Sequence, residues 1–182
     1  MQDDVSIAHF LNSIAGKSPA LDGAIIFFAQ YFPYVVAALF LVWVISRVVS
    51  QKEKLSLLSE GFGAALLARF GFVELVRAFV HRPRPFVDYH SLVGLLPEYS
   101  FSFPSGHAAF FFALSTVMFL HNRRWGWWFY GASLLIGVTR IVAGVHYPTD
   151  ILGGAALGIA VGYLVVRAGR FFLNTRVTGS VR

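Results

Sequence analysis

Long apolar runs separated by short polar turns dominate the chain. The first run, from Gly23 to Ser46, contains no Lys, Arg, Asp or Glu, and a helix of about 20 apolar residues crosses the hydrocarbon core of a bilayer. The whole pattern predicts an all-α fold, a polytopic membrane helix bundle of about five transmembrane helices. The other four predicted spans are Leu55–Val80, Pro104–Leu120, Trp125–Thr139 and Ile151–Val166.

A shorter amphipathic pattern lies before the first span. Four apolar residues there follow the i, i+3, i+4, i+7 spacing of one helical face: Ile7, Phe10, Leu11 and Ile14. The pattern predicts an N-terminal interfacial helix within residues 1–21, and a helix that simply packs on the bundle is the alternative. Pro33, inside the first span, is expected to kink it because proline has no backbone N–H to donate.

The composition agrees with a membrane protein. Hydrophobic residues make up 57% of the chain and charged residues 13%, against about 45–50% and ~25% in soluble domains. The 182 residues suit one domain, so we expect a single membrane-embedded domain over 1–182, with a cytoplasmic tail at 171–182. The absence of cysteine excludes disulfides, thiolate metal ligands and cysteine nucleophiles.

The positions of the basic residues predict the orientation in the membrane. The net charge of +6 is compatible with nucleic acid, anionic lipid or an anionic substrate. Basic residues at the span ends mark the cytoplasmic side, and the N-terminus and the loops at 81–103 and 140–150 then face the other side. Nine of the 15 Lys and Arg residues flank the spans on the cytoplasmic side: Arg47, Lys52, Lys54, Arg123, Arg124, Arg167, Arg170, Arg176 and Arg182.

Three clusters of polar residues remain on the opposite, extracytoplasmic side. The first lies at the end of the second span and just beyond it, the second opens the third span, and the last joins the fourth span to the fifth. Their members are Arg77 and Arg84, then Ser105, Gly106 and His107, then Arg140, His146 and Asp150.

These residue types suit the binding and transfer of a phosphoryl group. Guanidinium groups hold phosphate oxygens in bidentate fashion, and the free N–H groups at a helix N-terminus bind anions. A neutral imidazole can attack phosphorus when a carboxylate holds its other N–H, and a second histidine can protonate the leaving oxygen. A lipid or anion transporter without hydrolysis, using these charges as a path, is the alternative.

The spacing of the clusters resembles the three signature blocks of the type 2 phosphatidic acid phosphatase superfamily. The blocks are Arg77-x6-Arg84-Pro85, Pro104-Ser105-Gly106-His107 and Arg140-x5-His146-x3-Asp150. Two positions depart conservatively, with Arg77 where the family commonly has Lys and Thr139 where Ser often precedes the arginine.

The short chain resembles the bacterial undecaprenyl diphosphate phosphatases most among superfamily members. This implies hydrolysis of the terminal phosphate of undecaprenyl diphosphate in a bacterial inner (cell) membrane, with the active site on the extracytoplasmic side. Phosphatidylglycerophosphate, phosphatidate or lipid A phosphatases share the blocks and are the alternatives. The expected partners are the lipid phosphate or diphosphate and membrane lipids, with no nucleic acid, metal or cofactor.

The resemblance also implies a role for each block residue. His146 is the nucleophile that forms a phosphohistidine, Asp150 orients it, and His107 is the acid for the leaving group and then the base for water. The implied phosphate-binding residues are Arg77, Arg84, Ser105, Gly106 and Arg140, and possible supporting residues are Glu74, His81 and Arg82.

The sequence allows two interpretations for Glu74 and two for the loop at 86–103. Glu74, three residues before Arg77, either forms a structural pair within the helix or aims Arg77 at phosphate. The loop at 86–103 either covers the site or is a plain connector. For Arg69, further back in the second span, we expect a structural ion pair.

Overall fold

The computed structural model describes the backbone of residues 2–179 and the side chains of residues 2–171. Within that part of the chain the secondary structure is entirely helical. The helices are α1 (Gln2–Asn12), α2 (Pro19–Ser46), α3 (Gln51–Arg77), α4 (Pro85–Asp88), α5 (Gly106–His121), α6 (Arg123–Val142) and α7 (Pro148–Gly179).

The predicted spans correspond to α2, α3, α5, α6 and α7. Among the described residues, three segments are long and apolar enough to cross a membrane: Pro19–Ser46, Gln51–Arg77 and Pro148–Phe171. Helix α5 is apolar but has 16 residues, and α6 has 20 residues and carries its arginines at its two ends. The chain is therefore the all-helical membrane bundle that the apolar pattern predicts.

The last helix differs from its predicted bounds at both ends. Its start at Pro148 fits the preference of proline for the first helical turn, and its backbone continues to Gly179. Part of the predicted cytoplasmic tail is thus helical. Residues 180–182 and the side chains of Arg176 and Arg182 lie outside the described residues. That residues 1–182 form one domain stays a prediction.

Helix α5 lies at the centre of the bundle, against α3, α6 and α7. Glycines at 154, 158 and 162 in α7 let this helix approach the backbone of α5 closely. A Cβ atom on Gly154 would lie 2.4 Å from the Ser105 carbonyl oxygen, and one on Gly158 would lie 2.3 Å from that of Ala109. Small residues therefore bring the N-termini of α5 and α7 side by side, which places two of the polar clusters together.

An irregular turn in α2 reaches the polar end of the bundle. Residues Phe27–Tyr31 are π-helical, and Pro33, which follows them, has no N–H to donate to the Ala29 carbonyl. That carbonyl instead accepts a hydrogen bond from Arg140 Nη1 at 3.3 Å. The irregularity expected at Pro33 thus supplies an acceptor for a predicted site residue.

The N-terminal helix packs on the bundle through its polar face. Asp4 and Asn12 are buried, whereas Phe10 is 76% exposed and Ile7 is 47% exposed. Asn12 Nδ2 donates to the Val142 carbonyl at 2.8 Å. The predicted apolar face therefore points away from the bundle, except for Leu11, which contacts the core. The orientation differs from a packing helix with its apolar face inward because the polar side chains have partners in the bundle.

Candidate active site

The three polar clusters meet around one cavity of about 220 Å³ at the end of the bundle where α5 and α7 begin. Six of the eight predicted block residues line it: Arg77, Arg84, Gly106, His107, Arg140 and His146. The other two, Ser105 and Asp150, are fully buried behind them. Arg69, Glu98 and Ser100, which the block pattern does not include, complete the lining.

His146 and Asp150 form a buried pair. His146 lies in the short loop between α6 and α7, and Asp150 lies in the first turn of α7. The imidazole Nδ1 is 3.4 Å from Asp150 Oδ2, which also accepts a hydrogen bond from the Tyr147 backbone N–H at 2.8 Å. Because Nδ1 faces the carboxylate, Nε2 is the nitrogen left to meet a ligand in the cavity.

The surroundings of His146 favour its neutral form. Burial lowers the pKa of His146 well below its ordinary value, and the positive charges of Arg140 and Arg84 lower it further. Glu98 opposes this shift without reversing it. At neutral pH the imidazole therefore has a free electron pair, as a nucleophile requires.

The start of α5 provides the second histidine and a close approach for Arg69. Ser105 is the N-cap, and its hydroxyl accepts a hydrogen bond from the Ala108 N–H at 3.4 Å. Its side chain therefore caps the helix instead of lining the cavity. A Cβ on Gly106 would lie 2.3 Å from Arg69 Nε, so this position needs glycine for the arginine to lie over the helix N-terminus.

Three buried arginines surround the place where an anion would bind. Arg77, Arg84 and Arg140 are each 5% exposed or less. Burial lowers the pKa of Arg84 to about 10, so it is still charged at neutral pH. The Nε atoms of Arg77 and Arg140 are buried without a hydrogen-bond partner in the described structure. Buried unpaired donors of this kind fit a cavity built for a phosphoryl group.

Glu98 bridges two of these arginines. Its Oε2 is 2.7 Å from Arg84 Nη1, and its Oε1 pairs with Arg140 Nη2. Burial raises the pKa of Glu98, but Arg140 and Arg84 outweigh burial and the net pKa is lowered. The loop at 86–103 therefore contributes a carboxylate to the site, so it is more than a plain connector. No block spacing identifies Glu98, because the contact depends on how the loop folds back.

Arg82 does not line the cavity but braces Asp150 from behind. Its Nη1 donates to Asp150 Oδ1 at 2.9 Å, and its Nη2 donates to Asp4 Oδ2 at 2.6 Å. Asp4 also accepts a hydrogen bond from the Thr149 hydroxyl at 2.6 Å. Burial would raise the pKa of Asp4, but the bonds from Thr149 and Arg82 lower it overall. The N-terminal helix is thereby tied to the carboxylate that pairs with His146.

The other two possible supporting residues have different surroundings. The His81 ring packs against Phe101 with 4.7 Å between centroids, and it does not line the cavity. Glu74 Oε1 is 3.3 Å from Arg77 Nη1 and also pairs with Arg69. Glu74 thus forms the predicted pair within the helix and, through the same contact, holds an arginine that lines the cavity.

Residues 61–172 match the family model described as the PAP2 superfamily. This chain belongs to the PAP2 superfamily. The matched region contains every predicted block residue from Arg77 to Asp150. Membership identifies a PAP2 membrane lipid phosphatase, a phosphoric ester hydrolase. Asp4 and Ala29, which support the site from α1 and α2, lie outside the matched region.

The relatives of this PAP2 chain include proteins named as phosphatases of several lipids. It is 31% identical over 159 residues to "Undecaprenyl-diphosphatase BcrC" of Bacillus subtilis, covering 86% of this chain and 79% of that protein. It is 26% identical over 165 residues to "Lipid A 4'-phosphatase" of Porphyromonas gingivalis, covering 87% and 70%. The crystal structure of Aquifex aeolicus LpxE superposes with a TM-score of 0.71 at 27% identity, covering 89% and 93%.

The donor set of this PAP2 site is cationic. Within the residues that the structure describes, no three His, Asp or Glu side chains are grouped so that they could hold a metal ion. The acidic side chains at the site are instead paired with arginines or with His146. That the reaction uses no metal or cofactor stays a prediction.

Proposed function

We propose that this PAP2 phosphatase hydrolyses undecaprenyl diphosphate to undecaprenyl phosphate and inorganic phosphate. The observation that carries the proposal is the junction of two cavities, because the arginine-lined cavity shares Arg69, Gly106 and His107 with an apolar groove of about 340 Å³. A substrate with a charged head and a long apolar chain suits this junction. The similarity to the Bacillus subtilis undecaprenyl-diphosphatase supports the choice of lipid.

In the first step, His146 Nε2 attacks the terminal phosphorus of the diphosphate. The bond from that phosphorus to the bridging oxygen breaks, and protonated His107 donates its proton to the bridging oxygen as undecaprenyl phosphate leaves. The proton on His146 Nδ1 stays paired with Asp150, which stabilises the cationic phosphohistidine. Arg82, bound to the other oxygen of Asp150, keeps that carboxylate in place.

In the second step, water attacks the phosphohistidine. Neutral His107 accepts a proton from the water as the new phosphorus–oxygen bond forms, and the phosphorus–nitrogen bond breaks. Inorganic phosphate leaves, His146 is neutral again and His107 is protonated for the next cycle.

The arginines stabilise charge in both steps. Arg77, Arg84 and Arg140 surround the position of the transferred phosphoryl group, where guanidinium donors act best on charge that develops in the transition state. A phosphoryl group that takes this position replaces the Glu98 carboxylate as the partner of Arg84 and Arg140. The exchange is of one anion for another, so the arginines remain paired throughout.

A phosphate-release assay tests the substrate. The purified chain is given undecaprenyl diphosphate, phosphatidylglycerophosphate, phosphatidate and lipid A in one detergent, with the His146→Ala variant as the blank. We expect the highest kcat/KM on undecaprenyl diphosphate. A higher kcat/KM on any of the other three lipids would replace the proposed substrate with that one.

We further propose that the protein is a multi-pass protein of the bacterial inner membrane with its site outside. Helix α3 has Lys52 and Lys54 in its first turn and Arg77, which lines the site, at its other end, about 40 Å away. Basic residues therefore lie at the end of the bundle opposite the site, the arrangement that positive residues on the cytoplasmic side produce.

Single cysteines test this orientation, because the chain contains none of its own. Tyr99→Cys lies in the loop near the site and Lys52→Cys lies at the other end, and both positions are exposed. In intact cells or spheroplasts, a membrane-impermeant maleimide should label Tyr99→Cys and should label Lys52→Cys only after lysis. The reverse labelling would place the site in the cytoplasm.

The lowered pKa of His146 predicts the acid side of the pH profile. A histidine with an ordinary pKa of about 6.5 loses its nucleophilic form as the pH falls through that value. Because burial and the arginines lower the pKa of His146, its neutral form persists below that pH. We expect kcat/KM, corrected for ionisation of the substrate, to show no decline between pH 7.5 and about 6.5. An acid limb with its midpoint in this interval would contradict the assignment.

A further inference from the structure

An apolar groove adjoins the polar cavity and opens between α2, α3 and α5. Its apolar lining consists of Pro33, Tyr34, Ala37, Phe70, Phe110 and Phe111. His107, Gly106 and Arg69 line both the groove and the cavity. When the terminal phosphate of a lipid in this groove reaches His146, the rest of its head group, which stays attached to the lipid tail, therefore lies next to Arg69.

Arg69 lies where the groove meets the polar cavity, and it has hydrogen-bond donors available for a ligand. It lies in the π-helical turn Leu67–Phe72, and a Cβ on Gly106 would be 2.8 Å from its Cζ, so the guanidinium rests against the start of α5. Its side chain is 27% exposed. Among the described residues, its Nη1 donates a hydrogen bond to Glu74, and Nε and Nη2 are left to bind a ligand.

The four arginines around the site differ in what they can reach. Arg77, Arg84 and Arg140 line the polar cavity and are absent from the groove, whereas Arg69 lines both. The three therefore surround the phosphoryl group that is transferred. Arg69 lies instead beside His107, on the path by which the leaving group departs. The structural ion pair expected for Arg69 is present, and its partner is Glu74. This pair does not explain why the guanidinium lies at the junction of the cavity and the groove.

The charge of the leaving group decides how much such an arginine matters. When the terminal phosphoryl group of a lipid diphosphate is transferred, the leaving group is a lipid phosphate, whose oxygens are anionic. When the substrate is a lipid monophosphate, the leaving group is an alcohol. We propose that Arg69 binds the lipid-linked phosphate of a diphosphate and so makes the enzyme select diphosphates over monophosphates. This inference rests on the proposed function and names the residue that would determine its substrate class.

The first test compares two substrates with the same tail, farnesyl diphosphate and farnesyl monophosphate. A hydrogen bond to a charged group corresponds to a change of about 10- to 100-fold. We therefore expect Arg69→Gln to lower kcat/KM for the diphosphate about 10- to 100-fold and for the monophosphate less than about 3-fold. Arg69→Lys, which keeps the charge without the fork of donors, should recover part of the loss.

Arg124→Gln is the matched control. Arg124 is exposed at the start of α6, so this variant removes the same charge far from the site and should leave both substrates unchanged. An equal loss on both substrates in Arg69→Gln would mean that the residue acts only through Glu74 and Arg77. That result overturns the proposal, and so does a variant that loses no activity on either substrate.

A second test separates this inference from the proposed function. Methylenediphosphonate and methylphosphonate, neither of which is hydrolysed, compete with p-nitrophenyl phosphate for the site. We expect Arg69→Gln to weaken inhibition by methylenediphosphonate about 10-fold or more while inhibition by methylphosphonate changes little. If the wild type prefers another lipid but this difference holds, the proposed function fails and the diphosphate subsite stands. If both inhibitors change equally or not at all, the subsite fails.

Discussion

Replacing His146 by alanine is expected to lower kcat on undecaprenyl diphosphate by about 10⁴-fold. In the proposed mechanism this side chain forms the covalent bond to phosphorus, and the carboxylate beside it, Asp150, is already paired with Arg82. The arginines proposed to bind the head group remain, so KM should change by less than about 10-fold. Initial rates of phosphate release over a range of lipid concentrations measure both constants.

His121→Gln is the control for this variant. His121 is a histidine at the far end of α5, where it pairs with Glu60 at 2.7 Å, and its replacement should leave kcat unchanged. Far-ultraviolet circular dichroism of both variants checks that the helices are intact. A His146→Ala protein that is folded and keeps a tenth or more of the wild-type kcat would remove His146 from the chemistry.

Replacing Arg140 by glutamine is expected to have the second largest effect. The guanidinium is 1% exposed, and it joins Glu98 on the loop to the Ala29 carbonyl of α2. Loss of one donor group around a developing anionic charge costs about 10²–10³-fold in kcat. Loss of one partner of a buried ion pair also destabilises a fold, here by less than the ~3–5 kcal/mol of a fully unpaired charge, because Glu98 keeps its contact with Arg84. We therefore expect both lower activity and a lower melting temperature.

The double variant Arg140→Gln/Glu98→Gln tests whether Arg140 acts only by pairing with Glu98. Because Glu98 also pairs with Arg84, removing the carboxylate leaves the buried Arg84 without its acidic partner, so the melting temperature should stay below that of the wild type. The activity should not recover, because the phosphoryl group still lacks its donor. A double variant with restored activity would show that Arg140 serves only to hold Glu98 in the fold.

The sequence predicted the helices because each apolar run is long and its turns are polar. It also predicted six cavity residues, since Arg77, Arg84 and the rest follow a fixed spacing. The outer contacts of the site could not be predicted in this way. Glu98 meets Arg140 across 42 residues, and Asp4 meets Arg82 across 78. Such contacts depend on how the loop and α1 fold back, for which local periodicity carries no signal.

Arg69 illustrates a different reason why sequence reasoning was incomplete. The pattern placed it toward the middle of a span, where a structural ion pair is the ordinary expectation for a charge. The π-helical turn at Leu67–Phe72 shifts the helical register around it, and the single missing side chain of Gly106 gives it space at the start of α5. Neither effect can be read from the hydrophobic pattern of α3 alone.

Trapping of the covalent intermediate tests the central claim most directly. The enzyme is mixed with undecaprenyl diphosphate that carries a radiolabel in its terminal phosphate, quenched within a turnover and digested. We expect an acid-labile, base-stable label on the peptide that contains His146, and no label in the His146→Ala protein. Label on any other residue would contradict the account, as would phosphate release in a single turnover without any labelled protein.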